Sequence, residues 1–167
     1  MAVFYFISFW AALVVQFGWS RYADIHGVAP NVILIALMFI GLSRGPVAGE
    51  VMGFMWGLAW DSMTVELFGS HTLVLTCIGY LAGRLSRMWD ESKIVTQLAL
   101  AGIVSIIYQA TLMLVYQIFA PSQHLASVNY IVLTQPFFNM AIAPLVFLLA
   151  HFLPKTRRTG SDFEGFI

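Results

Sequence analysis

The chain has 167 residues, 60% of them hydrophobic and 10% charged, with zero formal net charge and a mean hydropathy of +0.84. A soluble domain carries about 25% charged residues, so this composition points to a membrane protein. The charge balance offers no basic surface for nucleic acid and no acidic arm, and a single cysteine, Cys77, excludes an internal disulfide or a cysteine-based metal cage and is read as a packing residue.

Apolar runs fall at about 2–19, 30–43, 46–60, 71–83, 94–119 and 127–153. The first, MAVFYFISFWAALVVQFGWSR, has neither the basic start nor the small-residue cleavage site of a signal peptide and reads as a retained helix. The second, third and fourth cover only about 13 to 15 residues, roughly 20 to 23 Å of helix against a hydrocarbon core of about 30 Å. Either each takes residues from its loops, or one is re-entrant and shielded by protein. The expected fold class is an all-α polytopic membrane protein with about six transmembrane helices and short early spans. It forms one integral membrane domain over 1–153, followed by a polar cytoplasmic tail over 154–167.

Threading six spans from a cytoplasmic start puts Arg44, Arg84, Arg87, Lys93, Lys155, Arg157 and Arg158 inside and Arg21 outside. That is the distribution the positive-inside rule demands, and it makes both termini cytoplasmic. Trp19, Tyr22 and Trp60 then lie at the outer interface and Trp89 at the inner one. For Arg84, Arg87 and Lys93 a contact with anionic lipid or a filament is an alternative to plain topology.

In the third run, GEVMGFMWGLAWD sets Gly49, Gly53 and Gly57 four apart, on one helix face. Helix association in lipid rests on close backbone packing, so this ridge either packs the third span inside the domain or receives a partner's helix, with Met52, Phe54, Met55 and Trp56 on other faces. Pro46 suits a first helical turn, and Glu50 meets the positive end of that helix's dipole, near Arg44. Asp61 falls at the opposite end, where the dipole is unfavourable, and needs a partner. The candidates are an ion pair with Arg21 or His71, local capping with Ser62 and Thr64, or a proton or substrate site.

In the fifth run, Ser105, Gln109 and Tyr116 share a stripe, with Thr96, Gln97, Tyr108 and Gln117 near it. Interhelical hydrogen bonds are favoured over a solute cavity. In the sixth, Pro136 and Pro144 flank Asn139, so backbone carbonyls lose partners, and Asn139 is placed to satisfy one. No nucleophile with a base, carboxylate pair or metal-ligand spacing stands out. His26, His71, His124 and His151 are scattered, and RGPVAG lacks the lysine and spacing of a phosphate-binding loop. No catalytic, cofactor or metal site is expected.

The segments APNVILIALMFIGLSRGPVAGEVMGFMWGLAWD and LFGSHTLVLTCIGYLAGRL resemble the MreD family of the bacterial rod-shape system. Its members show Pro-Asn before the second span, a glycine-rich third span ending in aspartate, then a glycine and a fourth span containing tyrosine. Pro30, Asn31, Gly49, Gly53, Gly57, Asp61, Gly69 and Tyr80 match that order, and Asn139 with Pro144 matches a later Asn-Pro pair. The likeness covers the middle third well and the rest by length and hydropathy, while the first helix and SDFEGFI match no motif. The resemblance implies a fold similar to the substrate-binding S-components of vitamin transporters and no catalytic residues. It also implies a non-enzymatic inner-membrane scaffold that binds MreC, a single-span protein with a periplasmic domain. Such a scaffold helps couple MreB filaments to peptidoglycan synthesis, alongside RodA, its penicillin-binding transpeptidase and membrane lipids. The rival expectation is a small-solute carrier or S-component-like protein in which Asp61, His71, Gln109 and Asn139 line a pocket.

Overall fold

The computed structural model describes residues 2–20, 30–64, 67–86, 94–119 and 128–151. These form six helices and no strand: α1 Ala2–Ser20, α2 Val32–Arg44, α3 Pro46–Met63, α4 Ser70–Leu85, α5 Ile94–Phe119 and α6 Val128–His151. Arg21, Tyr22, His26, Arg87, Trp89, Lys93, His124 and the tail over 154–167 lie outside the described residues.

The sequence of α2, VILIALMFIGLSR, is apolar on every side, and a helix of that kind belongs inside. Ile33, Leu34, Ile35 and Leu37 are fully buried, and α2 touches each of the other five helices. Around it α1 meets α3, α3 meets α4, α4 meets α5 and α5 meets α6. Its 13 residues reach only about 20 Å. A helix jacketed by protein has no lipid-facing length to match, which removes the difficulty of its shortness.

The third and fourth runs lengthen instead. They become helices of 18 and 16 residues, the third by taking in Asp61–Met63 and the fourth by taking in Ser70, Arg84 and Leu85. Gly45 alone joins α2 to α3, at a φ of 95° that glycine adopts without a Cβ penalty, and Pro46 opens α3 where its missing N–H is not needed. Helix α6 continues through both Pro136 and Pro144.

Apolar packing locks these elements together. Trp56 is fully buried and donates its indole N–H to the Phe9 carbonyl at 3.2 Å, tying α3 to α1. Phe39 of α2 meets Phe147 of α6 edge to face, with centroids 5.5 Å apart. The exterior is also apolar: Val14, Leu73, Val95, Ile118 and Leu148 are all exposed. With 26 residues, α5 is long and apolar enough to cross a membrane.

Candidate functional site

The polar and glycine residues singled out by the sequence gather into three junctions. The first is the face between α3 and α4. A Cβ built on Gly53 would overlap the Leu75 carbonyl oxygen and stand 2.7 Å from its carbon, and one on Gly57 would stand 2.7 Å from the Thr72 nitrogen. A Cβ on Gly49 would overlap the Gly79 carbonyl and lie 3.1 Å from the Gly41 Cα, so three backbones, from α2, α3 and α4, converge there. Helix α4 of the same chain therefore occupies the ridge. Gly79 and Gly83 answer it from α4, with Gly83 against Pro46. Sequence reading passed over this complementary pair, although its four-residue spacing in CIGYLAGRL was the available signal.

The second junction is at the other end of the same helix pair. Asp61 stands in the last turn of α3, against that helix's dipole, but its carboxylate reaches the N-terminus of α4, where the dipole favours it. Oδ2 accepts from the Gly69 N–H at 3.0 Å, the Thr72 N–H at 2.9 Å and the Thr72 hydroxyl at 2.5 Å. Oδ1 accepts from the His71 N–H at 3.1 Å and lies 3.1 Å from His71 Nδ1. The N-cap residue of α4 is Gly69, at φ 93°, which has no side chain to cap with. Asp61 supplies from α3 what a serine or aspartate would ordinarily supply locally.

The His71 ring stacks on Trp60, with centroids 5.2 Å apart and planes 14° apart, and faces Tyr108 of α5 at 6.2 Å. Trp60, half-buried, thus packs against His71 at this end of the bundle. Ser70 Oγ lies 3.3 Å from the Tyr116 hydroxyl, extending the junction to α5. Ser62 and Thr64 do not cap Asp61. Their hydroxyls donate back to the Leu58 and Trp60 carbonyls at 2.6 and 3.2 Å. Of the candidate partners for Asp61, His71 makes the pair, and Arg21 lies outside the described residues.

The third junction is the buried start of α2. A helix leaves its first N–H groups unsatisfied, and inside a protein each must find an acceptor. The Asn31 N–H donates to Asn139 Oδ1 at 2.7 Å, those of Val32 and Ile33 to Gln16 Oε1 at 2.7 and 3.4 Å, and that of Leu34 to Asn31 Oδ1 at 2.9 Å. Gln16 Nε2 donates to the Pro30 carbonyl at 3.2 Å, and Asn139 Nδ2 to Ser105 Oγ at 2.7 Å. The Ser105 hydroxyl in turn donates a hydrogen bond to the Ala101 carbonyl at 2.5 Å. Asn139 therefore serves α2 and α5 rather than a carbonyl freed by the α6 prolines. Gln16 was missed in the sequence, where a lone amide in the apolar stretch VVQFGW was its signal.

The remaining residues sit elsewhere. Tyr80 is exposed on α4 and its hydroxyl accepts from Arg84 Nη1 at 3.1 Å, while Pro144 is half-buried in α6. Gln109 is half-buried on α5 and belongs to neither polar junction, so the four residues of the pocket expectation do not converge: Asp61 and His71 share one junction and Asn139 belongs to the other. No group of three or more His, Cys, Asp or Glu that could hold a metal occurs among the described residues.

Chemically, these junctions satisfy helix ends. Four donors, the N–H groups of Gly69, His71 and Thr72 and the Thr72 hydroxyl, match the roughly four lone-pair positions of the Asp61 carboxylate, with His71 Nδ1 beside them. Removing Asn139 as Asn139→Ala strips the acceptor from the Asn31 N–H and a donor from Ser105. The expected loss is about 2–4 kcal/mol, read as a lower thermal midpoint in detergent. An unchanged midpoint would contradict the role given to this amide.

No curated relative and no solved structure matches the chain. The family of the rod shape-determining protein MreD matches it over residues 1–154, a stretch that includes all three junctions. The chain belongs to the MreD family, and is a rod shape-determining membrane protein.

Proposed function

We propose that the protein is a non-enzymatic, six-span scaffold of the bacterial inner membrane, with both termini in the cytoplasm, that binds MreC. Through MreC it helps couple MreB filaments to peptidoglycan synthesis by RodA and its penicillin-binding transpeptidase. In this orientation the Gly45 turn, Arg44 and Arg84 face the cytoplasm and the Asp61 junction faces outward, as the positive-inside rule favours.

One observation carries the reading: the buried ionisable pair Asp61 and His71 is engaged in capping α4 and bracing it against α5, the work of a rigid body rather than of turnover. Ionisable groups at membrane depth are otherwise the first place to look for chemistry. The short α2, jacketed by its neighbours, also suits a relationship to the S-component fold, whose early spans are short and irregular.

Co-expression with the MreC of the same organism tests the proposal. The expected result is copurification in mild detergent at a fixed ratio. Recovery of the protein alone, monodisperse and carrying a stoichiometric small molecule, would overturn it in favour of a solute carrier.

A further inference from the structure

The outward face of α3 is apolar except at one point. Val47, Val51, Phe54 and Leu58 recur at intervals of three or four residues and are 64%, 52%, 50% and 39% exposed, so they form one stripe along the helix. Glu50 lies in that stripe and is exposed as well. The other faces of α3 are taken, by α4 at the glycine ridge and by the core at Met52 and Trp56.

Among the described residues Glu50 makes no hydrogen bond or ion pair. The nearest cationic candidate on α4 is already engaged. The Arg84 guanidinium donates to the Tyr80 hydroxyl at 3.1 Å. The dipole of α3 does not account for the carboxylate either. Its influence fades within the first turn, and Glu50 is the fifth residue of the helix. About 6 Å of helix separates it from Pro46; in the proposed orientation that puts a carboxyl group near the cytoplasmic border of the hydrocarbon, where an unpaired charge would be penalised.

We propose that this face of α3 receives a single membrane-spanning helix of another protein. That helix carries a lysine or arginine near its cytoplasmic end, which pairs with Glu50, while its apolar residues lie along Val47, Val51, Phe54 and Leu58. The inference rests on the scaffold reading and names the surface that reading requires. A charge-assisted hydrogen bond gains strength where water is scarce. Other occupants fit less well. The carboxylate repels an anionic lipid headgroup, and a two-fold contact between copies of this chain would bring Glu50 toward its own counterpart.

The test is recovery of co-expressed MreC with Glu50→Lys, Phe54→Ala and, on the exposed face of α6, Leu148→Ala. Because the Glu50 side chain has no partner within the described fold, Glu50→Lys should keep the wild-type thermal midpoint, which separates lost binding from lost folding. The expected result is about a tenfold or greater drop in recovered MreC for Glu50→Lys, a smaller drop for Phe54→Ala and none for Leu148→Ala. Reversing the basic residue at the cytoplasmic end of the MreC span to glutamate should restore recovery with Glu50→Lys. Wild-type recovery with Glu50→Lys would overturn the surface and leave the scaffold standing. Failure of the wild-type protein to hold MreC would remove both. A photocrosslinker at position 54 that joins two copies of this chain, and not MreC, would also overturn the proposal.

Discussion

Replacing Gly53 by alanine is expected to lower the thermal midpoint of the detergent-solubilised protein by roughly 6–12 °C. The new Cβ meets backbone, the Leu75 carbonyl, with the Thr76 nitrogen 3.0 Å away, and neither can rotate aside. α3 and α4 must part along the ridge, forfeiting close contact, the main force that joins helices in lipid. Overpacking of this kind costs about 1–3 kcal/mol, taken here at its upper end because a backbone must move. For a chain of this size each kcal/mol shifts the midpoint by about 2–4 °C.

Two internal controls sharpen the prediction. A Cβ at Gly102 meets chiefly the flexible end of Met140, with Sδ at 2.9 Å, and one at Gly18 meets nothing within 4 Å. Gly102→Ala should shift the midpoint little. Gly18→Ala should leave it level or slightly raised, since alanine is the better helix former by about 1 kcal/mol in a helix interior. Gly53→Ala no worse than Gly102→Ala would contradict the backbone contact.

Replacing Asp61 by alanine is expected to be comparably severe. The N–H groups of Gly69, His71 and Thr72 lose their acceptor together, and with Gly69 at the N-cap the helix has no local substitute. Each unsatisfied buried donor costs about 1–3 kcal/mol, and partial entry of water at this end keeps the total near about 3–5 kcal/mol. Hydrogen exchange should show the first turn of α4 opening before the rest of the bundle. Protection there equal to wild type would refute the capping role. Asp61→Asn retains one acceptor oxygen and should fall between the two.

The elements themselves were legible in the sequence because apolar runs separated by charged loops mark the helices directly. Each of the six expected runs has a helix, and α5 runs from 94 to 119 as expected. The short early runs were harder. Hydropathy measures how apolar a segment is but not what encloses it, so α2 gave no sign in its length alone that most of its surface meets protein.

At the junctions, what was readable was need rather than partner. The position of Asp61 against its own helix dipole demanded a partner, and His71 stood among the candidates. The three backbone donors at the start of α4 did not, because they become neighbours only once the glycine ridge draws α4 against α3. Gln16 and Asn139 are 123 residues apart in sequence and meet only at the buried start of α2, through contacts that no local pattern encodes.

If the glycine ridge and the two polar junctions act only by packing, the capacity of variants at these positions to restore rod shape should depend only on how much of each folds. The most direct measurement is rod-shape rescue in cells depleted of their own MreD, plotted against the amount of folded protein in the membrane for wild type, Gly18→Ala, Gly53→Ala, Asn139→Ala and Asp61→Asn. A single curve through all five is the predicted result. Asp61→Asn present at the wild-type folded level yet unable to restore shape would contradict it, and would assign the carboxylate a chemical role beyond holding α4 in place.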